Sequence, residues 1–228
     1  MDVRGVLFDF GNTLFAHDPL PVAIAECARK LGVPMSDEQA VDLATRIDAA
    51  AMTPDELAHV RDLDAAVWSR RWHILYGIAD EWAELLGERI NADMHDPFAW
   101  VPYLNTGATL ESLHDHGIAI GIVSNTGWDV RTVFAAHSMT GLVTSFTLSY
   151  EVGAVKPDRR IFDAACASLN LAPDDVVMVG DDPRADSGAV FAGVRTLLLP
   201  ARPPHTDNGI DSVIGVAGIR GDHSWNVE

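Results

Sequence analysis

The chain has 228 residues, 48% of them hydrophobic, enough for one large core or for a core with a small second domain. Lysine and arginine number 16 against 33 acidic residues, and a formal charge of −17 repels polyanions, which argues against a nucleic-acid partner. Cys27 and Cys166 lie in apolar helical patterns without metal or redox spacing and read as buried thiols of a cytoplasmic protein. The start Met1-Asp2-Val3-Arg4 gives no signal peptide, and no stretch approaches the roughly 20 apolar residues of a membrane span.

The run from Val3 to Phe8 is nearly unbroken in apolar character, which predicts a strand covered on both faces of a parallel sheet. It delivers Asp9 into the turn Asp9-Phe10-Gly11-Asn12-Thr13-Leu14, at the carboxyl end where open α/β sheets bind their ligands.

After Leu14 the pattern turns helical until about Asp96, with no strand candidate. Pro19 to Leu31 predicts a helix stopped by Gly32, and Ser36-Asp37-Glu38-Gln39 is a capping box that opens a second. Thr53-Pro54-Asp55-Glu56 reads as another box, starting a long helix towards Tyr76 that Gly77 ends; a fourth runs from about Asp80 to Ile90. Trp68, Trp72 and Trp82 at helical spacing read as the core of this insert, and Arg70 and Arg71 as solvated charges.

From Thr106 onward helices and strands alternate as a doubly wound parallel sheet requires. A helix ended by His116-Gly117 leads into the strand Ile118 to Val123, which stops at Ser124-Asn125-Thr126, the expected start of the next helix. His114 and His116 read as surface groups facing the helix dipole. Leu142 to Tyr150 is the following strand. Val152 to Asp158 carries Lys156, which with Lys30 is one of only two lysines, so a compact ammonium is wanted there. Val176 to Val179 then ends in Gly180-Asp181-Asp182-Pro183-Arg184-Ala185-Asp186, and Arg195 to Leu199 is the last strand. Beyond Pro200 the prolines and glycines thicken into an irregular tail.

The four strand ends, in this order, resemble the four motifs of the haloacid dehalogenase (HAD) superfamily. The resemblance implies an α/β fold: a doubly wound, Rossmann-like core of residues 1–16 and 99–200 with an inserted α-helical C1 cap at 17–98, hinged near Ala16 to Asp18 and Asp96 to Pro102. Residues 201–228 would pack on the core or trail from it. It also implies Asp9 as nucleophile, Ser124 with Asn125 and Thr126 as the phosphate-binding loop, and Lys156 as the neutralising cation. Asp9, Asp181 and the main-chain carbonyl of Gly11 would hold magnesium, with Asp186 behind them binding a metal water or orienting Lys156.

These assignments are chemically coherent, because a carboxylate attacks an anionic phosphorus only where cations offset the repulsion. Magnesium wants hard oxygen donors and keeps several waters, so two carboxylates and a carbonyl suffice. Asp182, just before Pro183, reads as a helix cap. The expected activity is hydrolysis of a small phosphorylated metabolite through an aspartyl-phosphate.

One position departs from the family. Most phosphatase members carry a second Asp two residues after the nucleophile, as the acid and base for the leaving alcohol, and here Gly11 stands there. His17 and Asp18 are the nearest titratable substitutes. Two other readings stay open: a 2-haloacid dehalogenase, favoured by Ser124-Asn125 and opposed by Asp181-Asp182 and Gly11, and a binding or regulatory module without turnover, supported by the missing acid at Gly11.

Overall fold

The computed structural model describes residues 2–219; the last part of the expected tail, 220–228, lies outside the described residues. In chain order, β1 (Gly5–Phe8) and β2 (Phe15–Ala16) precede the inserted helices α1 (Leu20–Lys30), α2 (Asp37–Ala51), α3 (Pro54–Leu57), α4 (Ala65–Tyr76) and α5 (Leu86–Met94). After β3 (Val101–Pro102) come α6 (Thr106–Asp115), β4 (Ala119–Ser124), α7 (Arg131–Ala136), β5 (Ser145–Leu148), α8 (Ser149–Val152), α9 (Arg159–Ser168), β6 (Val176–Gly180), β7 (Arg195–Leu198) and α10 (Ser212–Val216).

Five strands form one sheet in the order β5-β4-β1-β6-β7, every pair parallel. The apolar run of β1 is explained by its central place: Val6 and Phe8 point into a cluster with Ile120, Ile122, Val177 and Val179, whereas Leu7 joins Val123, Val176 and Met178 on the other face. The first face is covered by α6, α7 and α10 through Leu110, Phe134 and Val213, the second by α9 through Ile161, Phe162 and Cys166. A fully buried Phe such as Phe8, Phe134 or Phe162 contributes roughly 1.5 to 3 kcal/mol of transfer energy. Gly117, at φ +72°, ends α6 by donating to the carbonyl of His114 while Ile118 donates to that of Leu113.

The inserted helices build their own cluster around Ile24, Cys27, Leu43, Ile47, Leu86 and Ile90. They join the rest of the chain next to β2 and β3, which pair antiparallel as Phe15 with Pro102 and Ala16 with Val101. The capping box of α2 is present in both directions.

Several expected elements are shorter. The long helix from Pro54 to Tyr76 is broken, because Glu56 does not turn back to close a capping box but binds Arg71 and Arg61 in a buried cluster. The chain then passes through Val60 at φ +45° and a 3₁₀ turn at Arg61–Leu63 before the Asp64 carboxylate caps α4 by accepting from Val67 at 2.8 Å. The fourth helix starts at Leu86; Asp80 instead accepts from the Gly87 amide at 2.8 Å, and Gly87 lies so close to the Tyr76 backbone that a Cβ would collide. β5 stops at Leu148 and a helical turn follows, and α7 starts only at Arg131, where Asp129 caps the Arg131 amide.

The described part of the tail is built into the core. Tyr103 donates to the Arg202 carbonyl at 2.6 Å, Asn208 donates to the Thr13 carbonyl at 2.9 Å, and Ile210 and Val213 are fully buried. Among the described residues no helix is long and apolar enough to cross a membrane.

Candidate active site

The carboxyl ends of β1, β4 and β6 bring Asp9, Ser124 and Asp181 to the wall of one cavity, together with Lys156 and Asp186. Lys156 is buried, and its ammonium lies 2.5 Å from Asp9 Oδ1 and 2.6 Å from Asp186 Oδ1. Asp186 is completely buried and also accepts from the Asp182 amide at 3.0 Å. β6 must end in glycine here, since a Cβ at Gly180 would overlap the Asp186 carboxylate. Thr13 was not singled out from the sequence; its hydroxyl lies 3.3 Å from Asp181 Oδ1 and 3.5 Å from Asp9 Oδ2, between the two carboxylates.

Burial pushes the Asp9 carboxyl up to about 6, Lys156 opposes the shift, and Asp186 and Asp181 add to it. Burial and Asp186 likewise raise Asp181. For Lys156, burial acts downward but Asp9 and Asp186 outweigh it, so the ammonium stays charged. One cation thus faces three carboxylates. Oxygen atoms of Asp9, Asp181 and Asp186 lie within 4.8 Å of one another, a hard donor set that fits a divalent cation. Asp186 is held by Lys156 and the Asp182 amide, and Asp9 by Lys156 through Oδ1.

The loop after β4 is built to place Lys156. The Asn125 carboxamide accepts from the Lys156 amide at 2.6 Å and donates to the Lys156 carbonyl at 3.0 Å. Thr126 is also engaged internally: its N–H donates to Ser149 Oγ at 2.9 Å and its hydroxyl accepts from the Trp128 amide at 3.2 Å. The Ser124 hydroxyl has no protein partner among the described residues. A helix N-terminus is absent at Asn125 and Thr126, since α7 begins six residues later than Asn125.

The cavity has a volume of about 580 Å³. Trp68 lines it and lies outside the insert core where it was expected; Trp72 lines it while also packing against that core, as Trp82 does. Arg70 is exposed as expected, but Arg71 is tied to Glu56, its Nε 3.0 Å from Oε2. His17 does not line the cavity: its Nδ1 donates to the Asp18 carbonyl at 2.9 Å, and Nε2 lies 3.5 Å from Asp93 Oδ2. Asp18 is exposed. The imidazole that does line it is His95, whose Nδ1 donates to the Asn91 carbonyl at 2.7 Å, so Nε2 is left to accept from the Trp68 indole at 3.3 Å. Asp182 Oδ1 accepts from the Arg184 amide at 2.8 Å, a cap within the turn. Gly11 avoids the left-handed region, which Asn12 occupies at φ +56°.

A family model for hydrolases of the haloacid dehalogenase-like type matches residues 3–192. The glyceraldehyde 3-phosphate phosphatase of Methanothermobacter thermautotrophicus is 32% identical, over 93% of this chain and 95% of that protein. The ribulose-1,5-bisphosphate 5-phosphatase of Halopiger xanaduensis is 29% identical, over 96% and 93%. Among solved structures, the 2-haloacid dehalogenase from Pseudomonas syringae pv. Tomato DC3000 shares the fold with a TM-score of 0.62 at 23% identity, covering 95% of this chain and 98% of that one.

Proposed function

The chain belongs to the haloacid dehalogenase-like hydrolases, and we propose that it is a magnesium-dependent phosphatase of a small phosphorylated metabolite, acting through an aspartyl-phosphate on Asp9. The observation that carries this reading is the buried Asp9, neutralised by Lys156 on one oxygen and facing Asp181 across Thr13 on the other side. Relatives named as phosphatases over nearly their whole length support it. The helices of residues 17–98 would be the C1 cap over a core of 1–16 and 99–200. The two buried thiols fit a cytoplasmic setting.

Asp9 and Asp181, with the Gly11 carbonyl, would hold the magnesium. When bound, the cation supplies positive charge that offsets the repulsion between the Asp9 carboxylate and the phosphate. Lys156 and the Ser124 hydroxyl hold non-bridging phosphate oxygens. An Asp9 oxygen then bonds to phosphorus as the bond to the leaving oxygen breaks, and with glycine at position 11 the departing alkoxide takes its proton from water. Water next attacks the phosphorus of the acyl phosphate, and Asp9 leaves as a carboxylate. Asp186 and the Asn125 carboxamide act by fixing Lys156.

Ser124-Asn125 at the end of β4 supports a second reading, a 2-haloacid dehalogenase, against which stand the acidic pair Asp181-Asp182 and Gly11. Phosphate and halide release, each with magnesium and with EDTA, separates the two. Magnesium-dependent phosphate release supports the phosphatase; metal-independent halide release with no phosphatase activity overturns it.

A further inference from the structure

We propose that the cavity selects phosphate monoesters whose leaving alcohol is uncharged and carries a planar aromatic or heteroaromatic ring. This inference rests on the phosphatase reading and deepens it.

The lining combines the polar and charged groups of the reacting site with the rings of Phe10, Trp68, Trp72, Tyr76, Trp100 and Trp128. From the insert, Trp68, Trp72 and Tyr76 follow one another four residues apart along α4, with ring centroids 5.6 and 5.2 Å apart. From the core side come Phe10, Trp100 and Trp128, at 4.8 Å for the first pair and 6.2 Å for the second. His95 links the two groups, accepting from the Trp68 indole and standing edge-on to Trp128 at 5.4 Å. Such rings bind a planar ring by burying its faces and edges, and aromatic pairing adds to the gain from area burial.

Charge excludes the alternatives. Lys156 is the one lysine or arginine among the described lining residues, and it is already paired with Asp9 and Asp186. Arg71 and Arg61, the cations of the neighbouring insert, are held by the buried Glu56. A second phosphate or a carboxylate on the leaving group would therefore enter a cavity lined by Asp9, Asp181, Asp182 and Asp186 with no cation free to meet it. A small polyol would leave the indoles solvated.

The test compares kcat/KM, in saturating magnesium, for 2-phenylethyl phosphate, n-butyl phosphate, phosphoserine and ribulose 1,5-bisphosphate. The first two release alcohols of similar basicity, so their ratio reports ring recognition rather than leaving-group activation. The 2-phenylethyl ester should exceed the butyl ester about tenfold or more, chiefly through KM, and both charged esters should fall below the butyl ester. Trp72→Leu and Trp128→Leu, one from each aromatic group, should each lower that ratio several-fold. Inhibition of the wild type by benzylphosphonate against methylphosphonate needs no variant and should show the same order. A ratio near one, or better turnover of phosphoserine or the bisphosphate, overturns the inference while the phosphatase reading stands. If magnesium supports phosphate release from no ester, that reading fails and the inference falls with it.

Discussion

Gly127 and Trp68 meet where the inserted helices touch the loop after β4: a Cβ at Gly127 would collide with the Cβ and ring of Trp68. A second tie lies nearby, where the Ser149 hydroxyl, 2.5 Å from the Asp62 carbonyl, also accepts from the Thr126 amide. The insert is thus seated directly on the loop that carries Ser124. Gly127→Ala should lower stability by about 1 to 3 kcal/mol in urea unfolding, or raise KM by displacing α4. Wild-type values of both would show that the two surfaces separate freely.

Asp9→Asn should reduce phosphate release by about 10³-fold or more, because an amide cannot form the covalent intermediate. The variant should still fold, since Lys156 keeps Asp186 as a partner and the amide oxygen can still accept. Substantial residual turnover with purified variant would rule out the aspartyl-phosphate.

Asp181 and Asp182 are neighbours with different work. Magnesium should raise the melting temperature of the wild type, and Asp181→Ala should abolish both that shift and activity. Asp182→Ala should retain the magnesium shift and lose about 1 kcal/mol of stability as a missing turn cap. Equal loss of the magnesium response in both variants would show that the acidic pair is assigned wrongly.

Gly11 can take a side chain. Its backbone is outside the left-handed region, and the nearest atom to a Cβ would be the Trp100 ring at 3.7 Å, an ordinary contact. Gly11→Asp should fold and should speed hydrolysis of alkyl phosphates by about 10²-fold, narrowing their gap to p-nitrophenyl phosphate. A wild-type rate independent of leaving-group pKa, where chemistry is limiting, would mean another group already donates the proton. His95 rather than His17 is then the residue to replace, because only His95 lines the cavity.

The Arg71 guanidinium bonded to Glu56 holds that buried carboxyl below its ordinary range, and burial acts in the opposite direction. A depressed folded-state value gives stability that is fully present above the ordinary Glu value of about 4.3 and is lost as pH falls through the folded value. Glu56→Gln should be less stable than wild type at pH 7, by about 1 to 3 kcal/mol, with the gap closing towards pH 3. A gap that stayed constant with pH in thermal unfolding would assign the loss to packing instead of the ion pair.

The sheet and the residues at its strand ends were legible because a strand buried on both faces leaves an uninterrupted apolar run, and the first polar residue after it marks the carboxyl end. Asp9, Ser124 and Asp181 all follow that rule. Helical periodicity was less informative in the insert. It showed that Trp68, Trp72 and Trp82 share a pattern, but an apolar face looks the same whether it meets other helices or an open cavity. The break near Val60 had no local signal, since it depends on Glu56 reaching Arg71 fifteen residues away. Proximity in sequence favoured His17 over His95, and only the path of the chain decided between them. The turn-rich composition after Pro200 hid Asn208, Ile210 and Val213, which are held by distant partners.

The register of β1 carries a consequence for biosynthesis. Gly5 pairs with Ala119 on one side and Val176 on the other, so β1 is synthesised long before its first neighbour in the sheet, and longer still before its second. The inserted helices, whose contacts are local, can condense in the meantime. Until then Val6, Leu7 and Phe8 form an unpaired apolar edge, the kind of segment that chaperones shield and that seeds aggregation. Nascent chains arrested before Val176 should be retained by a chaperone and cleaved readily at β1, whereas chains extended past Leu198 should resist the same protease.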